Sequence, residues 1–478
     1  PTDFDPARWG IPASMLDSID PIAVWNLVSA VDAFVSAGFS PAELLRVVHP
    51  ATVASTQGTG FGGMRSMHKL FVDRFLGEEY PQDILQETLP NVVAAHTMQS
   101  YVGGYGSMIN PVGACATAAV SIEEGVDKIK AGKADFVVAG AIDDIQVESI
   151  VGFGAMNATA NSNELLARGI SSRFVSRAND RRRGGFVEAQ GGGTVLLTRG
   201  SVALEMGLPV LAVVAHAQTF SDGAHTSIPA PGLGALAVAR GGRDSVIARN
   251  LAELGVGIDD VAFVSKHDTS TNANDPNESD LHTRVGMALG RTPGNPLLVI
   301  SQKTLTGHAK GGACVFQVGG IIDVFRTGLI PANVALDCVD DAMEQYGPLV
   351  WLRSPLNLSS RGPVRAAFAT SLGFGHVSGF LALVNPAAFE AIVEREVGRE
   401  RLEAWRAASD RRLRNGQRHI EMGMLGHAPL FTSVEGRRLP DDPAAGIAGD
   451  AHEVEAAILL DPNARLGEDG FYHLPEGK

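Results

Sequence analysis

Three side chains scattered along the chain, Cys115, His267 and His308, are of types that together could carry out nucleophilic acyl chemistry. Cys115 lies in "PVGACATAAVSIEEGVDKIK", where Ile122, Val126 and Ile129 follow at helical spacing, so the thiol falls in the first turn of a helix. A free cysteine is only a few per cent thiolate at pH 7. A helix N-terminus stabilises a negative charge by up to about 2 kcal/mol, and about 1.36 kcal/mol is one pKa unit. The placement therefore predicts a thiol pKa lowered by about one unit. His267 closes a continuously apolar run in "VAFVSKHDTST", and His308 does the same in "LLVISQKTLTGH". Ligands and chemistry gather at the carboxyl ends of strands in α/β sheets. The other two cysteines, Cys314 and Cys338, read as packing residues, and His96, His225 and His419 lack this context.

The elements that would position these groups alternate between short β-rich runs and helices. "KADFVVAGAID", "PVLAVVAHAQTF", "VAFVSKHD", "PLLVISQK" and "VRAAFATSLGF" are apolar throughout and read as strands buried on both faces. "SIEEGVDKIKAG", "SVIARNLAELG" and "ACVFQVGGIIDVFRTG" separate several of them as helices, and "DPIAVWNLVSAVDAFVSAGF" makes the first 50 residues mostly helical. This alternation predicts an α/β architecture. Beyond about residue 388 the chain turns charged and helix-favouring, then Gly- and Pro-rich, which predicts a solvated helical and irregular extension over 389–478.

Composition narrows the partners. With 478 residues, 45% hydrophobic and 19% charged, the chain can bury a large core. A formal net charge of −14 argues against nucleic acid and anionic membrane. No apolar run reaches the length of a membrane helix. Three cysteines without a CxxC pair fit a reducing, cytoplasmic compartment. A start at Pro1 is read as the mark of a piece of a longer polypeptide.

Four segments in order, "GACATA", "KHDTSTNANDPNE", "KTLTGHAKGG" and "TSLGFGHVSG", resemble the signature segments of β-ketoacyl synthases of the thiolase superfamily. Their wording, with the stretch at 227–232, is most similar to the condensing domain of type I fatty acid synthase, the fungal-like multienzyme also found in actinobacteria. The resemblance implies a thiolase-like fold over 1–388: duplicated α/β halves, about 1–210 and 211–388, in a layered αβαβα body. It implies that Cys115 carries an acyl group, and that His267 and His308 donate hydrogen bonds to an enolate formed by decarboxylation of malonyl-carrier. The backbone N–H groups of Cys115 and Phe374 would form an oxyanion hole. Lys303 would organise the histidines with Glu278 as its carboxylate partner, since an isolated buried lysine is costly. Thr269 and Thr271 would bind the phosphopantetheine arm, and Phe374 would act as a gate given room by Gly373 and Gly375. Asp275 matches a family acid, though it could equally stabilise a turn. No metal and no bound cofactor are implied. The phosphopantetheine belongs to an acyl carrier protein partner, expected on the same polypeptide, and the chain is expected as a homodimer in a larger synthase assembly.

Some residues depart from the pattern. Asp268 stands where many relatives have glycine; a carboxylate there would favour a charged His267, so it is expected to point away. His376 and Ser378 replace a Gly and an Asn. Three rival readings compete. Gly58, Gly60 and Gly63 in "STQGTGFGGM" have GxGxxG spacing, but no strand end with an acid follows, so a structural glycine loop is expected. A cysteine-dependent acyl hydrolase would use Cys115 and one histidine, without the second histidine or Lys303. A non-catalytic scaffold domain would have no use for the nucleophile.

Overall fold

The computed structural model describes Ile11, Leu16 and residues 18–79, 81–223, 231–427 and 451–473. Residues 227–230 of the stretch singled out above, His225 and the Gly- and Pro-rich 428–450 lie outside the described residues. In the N-terminal half, helix α1 (Pro21–Ser36) and strand β1 (Val53–Ser55) precede helix α2 (Thr117–Lys130) and strands β2 (Phe136–Asp143) and β3 (Gly191–Thr198). β2 is central, parallel to β1 and antiparallel to β3.

The second half contributes β4 (Val213–Ser221), β5 (Val261–Ser265), helix α3 (Asn274–Ala288), β6 (Leu297–Ile300) and helix α4 (Ala313–Thr327). It closes with β7 (Leu349–Trp351), β8 (Ala366–Gly373) and β9 (Val377–Val384). These strands form one sheet in the order β4-β9-β8-β5-β6-β7. β8, β5, β6 and β7 run parallel, whereas β9 is antiparallel to both neighbours.

Continuous apolar runs make sense once the layers are seen. α2 and α4 lie between the sheets: Ala118, Ile122, Cys314, Val318 and Ile321 share a core with Val137 and Ala139 of β2 and Phe263, Ala367 and Leu381 of the larger sheet. Phe34 of α1 covers the outer face of β2 at Phe136 and Val138. Leu281 and Val285 of α3 cover Val264, Phe368 and Phe380 on the opposite outside. Five layers, αβαβα, result. Each fully buried Phe, Leu or Ile contributes about 1.5–3 kcal/mol to this association.

One polar residue ties the inner helix to the sheet edge that leads into His267. Gln317 of α4 donates Nε2 to the carbonyls of Ser265, Lys266 and Thr370, at 2.8, 3.1 and 3.0 Å. It thereby fixes the carboxyl ends of β5 and β8 relative to each other. After β9 the chain forms helix α5 (Arg399–Met424), which lies on the body. Its Trp405 Nε1 donates to Leu208 O at 3.1 Å, Arg412 Nη1 donates to Gly38 O at 2.9 Å, and a Cβ at Gly416 would come within 2.3 Å of Val35 O. Ile458, Leu466 and Tyr472 join the core around Phe34. No described helix is long and apolar enough to cross a membrane.

Candidate active site

Cys115 sits in a tight 3-10 turn, Ala114–Ala116, that runs directly into α2. Ala114 takes a left-handed φ of 47°, which lifts the thiol out of the helix line. The end of β8 locks this turn: Ser371 Oγ donates to Cys115 O at 2.9 Å, and the Phe374 backbone N–H favours the charged form of the Cys115 thiol. Gly373 approaches so closely that a Cβ would stand 2.3 Å from Gly113 O and 3.3 Å from Cys115 N. Gly373→Ala is therefore expected to cost about 1–3 kcal/mol and to shift the Phe374 N–H relative to the Cys115 thiol. Urea unfolding together with the rate of Cys115 alkylation would check both effects.

β5 and β6 deliver the two histidines. One donor atom each from Cys115, His267 and His308 lies within 4.8 Å of the others, and all three residues are buried. The imidazoles stand edge to face, centroids 5.2 Å apart. Lys303 Nζ donates to His267 Nδ1 at 3.0 Å and to the His267 carbonyl. An ammonium has no lone pair, so Nδ1 must accept and the ring proton resides on Nε2. Burial and the Lys303 charge hold His267 and His308 well below the ordinary histidine pKa, so both are neutral at pH 7. The same three donors have spacing that could hold a soft metal ion.

Two expectations need correction. Glu278 forms no ion pair with Lys303 among the described residues. Its carboxylate instead takes the His267 N–H at 2.5 Å, the Asp268 N–H at 2.9 Å, Asn274 Nδ2 at 3.3 Å and the Thr370 hydroxyl. Those donors occupy its oxygens, leaving Lys303 only the field of the charge, which is the largest influence opposing the drop in Lys303 pKa caused by burial. Glu278 acts on the backbone that carries His267. Burial also drives the Cys115 thiol the other way from the helix-tip expectation, up to about 11, against the opposing pull of Lys303 and the Phe374 N–H. Cys115 is 7% exposed, and desolvating a thiolate costs more than one helix turn returns. Alkylation of Cys115 by iodoacetamide is expected to quicken about tenfold per pH unit between pH 7 and 9.5. A plateau by pH 8 would restore the helix-tip thiolate.

The neighbouring charges are internally matched. The Asp268 carboxylate pairs with Lys266 Nζ at 2.7 Å and takes Asn179 Nδ2 at 2.7 Å, so it engages these groups and not the His267 ring. Asp275 accepts the Asn179 N–H at 2.8 Å, and Arg183 stands 3.6 Å away. Burial and Asp268 push Asp275 up to about 7. The Thr269 and Thr271 hydroxyls bond each other at 3.0 Å, and Thr271 also accepts the Asn274 N–H, on the loop between His267 and α3. Gly375 has φ 84° and is exposed, and Phe374 beside it is half-buried.

Several participants escaped the sequence reading. Asp143, at the carboxyl end of β2, accepts Thr59 Oγ1, the N–H groups of Gly60 and Phe61, and the Gly311 N–H at 2.7 Å. A Cβ at Gly60 would meet its Oδ2 at 2.8 Å. The GxGxxG-like loop thus wraps a buried carboxylate of the protein itself. The strand-end rule that singled out the histidines would have found Asp143 too. Phe153, Phe186 and Phe374 make an aromatic wall: Phe153 lies 5.3 Å from Phe186 and 5.9 Å from Phe374, and Phe186 is 5.0 Å from His308. No sequence spacing links these phenylalanines.

Comparison with known proteins follows the geometry. Sequence models for the β-ketoacyl synthase N-terminal and C-terminal domains match residues 1–203 and 211–337. The fatty acid synthase alpha subunit stcJ of Emericella nidulans is 36% identical over 98% of this chain, which covers 29% of that protein. Fatty acid synthase subunit alpha of Saccharomyces cerevisiae is 31% identical over 98% of this chain, covering 28% of its length. The chain thus spans less than a third of these relatives. In structure it is similar to the noncanonical ketosynthase FabY from P. aeruginosa, with a TM-score of 0.80 and 24% identity, over 89% of this chain and 66% of that one. That likeness establishes the thiolase-like ketosynthase fold. Two matched domains, together more than half the sequence, show that this chain belongs to the β-ketoacyl synthase family.

Proposed function

We propose that this chain is the condensing unit of a type I fatty acid synthase, joining a Cys115-bound acyl group to malonyl-carrier to give a 3-oxoacyl-carrier. The observation that carries the reading is the meeting of one nucleophile with two neutral imidazoles inside 4.8 Å. In the first half-reaction the Cys115 sulfur bonds to the acyl carbonyl carbon, and the carrier thiol leaves with the proton. The oxyanion is held by the backbone N–H groups of Phe374 and Cys115. Phe374 would then swing aside, with Gly375 as its hinge. In the second half-reaction malonyl-carrier loses carbon dioxide, and its enolate oxygen is held by N–H groups of His267 and His308. The enolate carbon bonds to the acyl carbon, and the sulfur leaves and regains a proton. Neutral imidazoles suit this task, because they donate without transferring a full charge. Lys303 acts by setting the His267 tautomer, Glu278 by gripping the His267 backbone, and the Thr269–Thr271 pair by receiving the phosphopantetheine arm.

The reading supplies the partners as well: an acyl carrier protein, on the same polypeptide, in a larger cytoplasmic assembly, with no resident metal or cofactor. A second copy of the chain would cover Phe75, Leu76, Val147 and Val151, each 63% exposed or more, on segments joined by the His68–Glu148 contact. The two family matches, over 1–203 and 211–337, support a division into halves near residue 210, and the reading takes 389–478 as an extension. The test is a single turnover with acyl-carriers of graded chain length plus malonyl-carrier. A 3-oxoacyl thioester is expected. Free fatty acid alone would point to the hydrolase, and no reaction at Cys115 to a scaffold.

A further inference from the structure

We propose that His282 is a positioning residue for His267, acting through Thr370 and Glu278; this rests on the condensing reading above. His282 lies one helical turn after Glu278 on α3 and is 1% exposed. Its Nε2 is 3.0 Å from the Thr370 hydroxyl, which in turn donates to Glu278 Oε1. The same Oε1 takes the His267 N–H, and Oε2 takes the Asp268 N–H and Asn274 Nδ2. Four donors thus converge on one carboxylate, which fills the acceptor sites such a group offers.

The direction of the chain follows. The Thr370 proton is committed to Glu278, so toward His282 the hydroxyl can only accept. His282 must therefore carry its proton on Nε2. Its Nδ1 is buried without a hydrogen-bond partner among the described residues, which is tolerable for a bare acceptor and costly for an N–H. Burial, helped by Lys266, pushes His282 down to about 3, so the ring is neutral and its contribution is hydrogen-bond polarity, not charge. Packing alone does not account for a histidine here. The ring lies 5.9 Å from Phe380, against the apolar outer layer, where an apolar side chain would fill the space without burying a polar nitrogen. What the imidazole adds is a donor that holds the Thr370 hydroxyl toward Glu278. Glu278 then grips the peptide on which His267 is mounted.

The experiment compares wild type, His282→Phe, His282→Gln and Thr370→Val in two separate half-reactions: acyl transfer to Cys115, and carbon dioxide release from malonyl-pantetheine. His282→Phe is expected to lower kcat for decarboxylation about tenfold, with KM and the rate of Cys115 acylation within about twofold. Thr370→Val should match it, and the double variant should lose nothing more, because both cut one chain. His282→Gln, whose amide N–H can reach the hydroxyl, should recover to within about threefold of wild type. Equal losses in His282→Phe and His282→Gln, equal losses in both half-reactions, or no loss in either variant would each overturn the proposal. If His282→Phe does not fold, His282→Gln and Thr370→Val decide by the same criteria. A wild-type chain that releases no carbon dioxide refutes the condensing reading, whereas an active wild type with an unaffected His282→Phe refutes this inference alone.

Discussion

Cys115→Ala is expected to abolish acyl-enzyme formation and to cut 3-oxoacyl production by about 10⁴-fold or more, while malonyl decarboxylation continues. The separation follows from where the atoms sit. The sulfur is the only group proposed to bond to the acyl carbon, but the enolate oxygen belongs to His267 and His308, which come from β5 and β6. Removing one sulfur atom leaves the Ala114–Ala116 turn, the Ser371 contact to the residue 115 carbonyl and the Lys303–His267 bond in place. Unfolding should therefore shift by only about 1 kcal/mol. Radiolabelled carbon dioxide release and mass spectrometry of the acylated chain, read side by side, check both halves of the claim. Loss of decarboxylation along with acylation would mean that the thiol takes part in both steps.

His308→Ala and His267→Ala are expected to reverse that pattern. Each removes one preorganised donor to a developing oxyanion, an effect of about 10²–10³-fold. Acyl transfer to Cys115 should survive in His308→Ala, where the substitution mainly opens space beside Phe186. His267→Ala should be the more damaging to stability, because the buried Lys303 ammonium loses its Nδ1 acceptor. The pH dependence has a definite sign. Both imidazoles are held well below the ordinary value, so protonation, and with it loss of the neutral donors, sets in only as pH falls far below 6.5. Decarboxylation should accordingly stay flat between pH 8 and 6.5 as far as these groups are concerned. An acid limb centred near 6.5 would mean that the histidines are not desolvated as the structure has them.

How much of this was legible beforehand depended on whether the signal was local. The strands β2, β5, β6 and β8 were readable because burial on both faces writes an unbroken apolar run into the sequence; β4 is a strand as expected but lies at the sheet edge with only Ala215 and His216 buried, not covered on both faces. β3 carries a weaker signal: it opens on Gly191–Gly193, where a Cβ at Gly192 would strike Ala141 O at 2.0 Å, so close strand approach has displaced the usual side chains. β9 takes its place from antiparallel pairing with β4, more than 150 residues away in sequence. The long helix α5 reads as solvated, yet Gly416, Trp405 and Arg412 dock it on the body through backbone approach and single hydrogen bonds.

The sequence by itself determined that Cys115 stands at a helix start and that His267 and His308 follow strands, while their meeting in one site with Lys303 was what the family resemblance implied. Periodicity and chain punctuation are local properties, and they survive without coordinates. Only the tertiary structure decided what those groups are made to do electrically. It turned Glu278 from an ion-pair partner of Lys303 into a clamp on the His267 peptide, and it raised the Cys115 thiol instead of lowering it. Both outcomes depend on desolvation and on which donors reach a carboxylate first, and those are set by chain segments that meet only when the layers close.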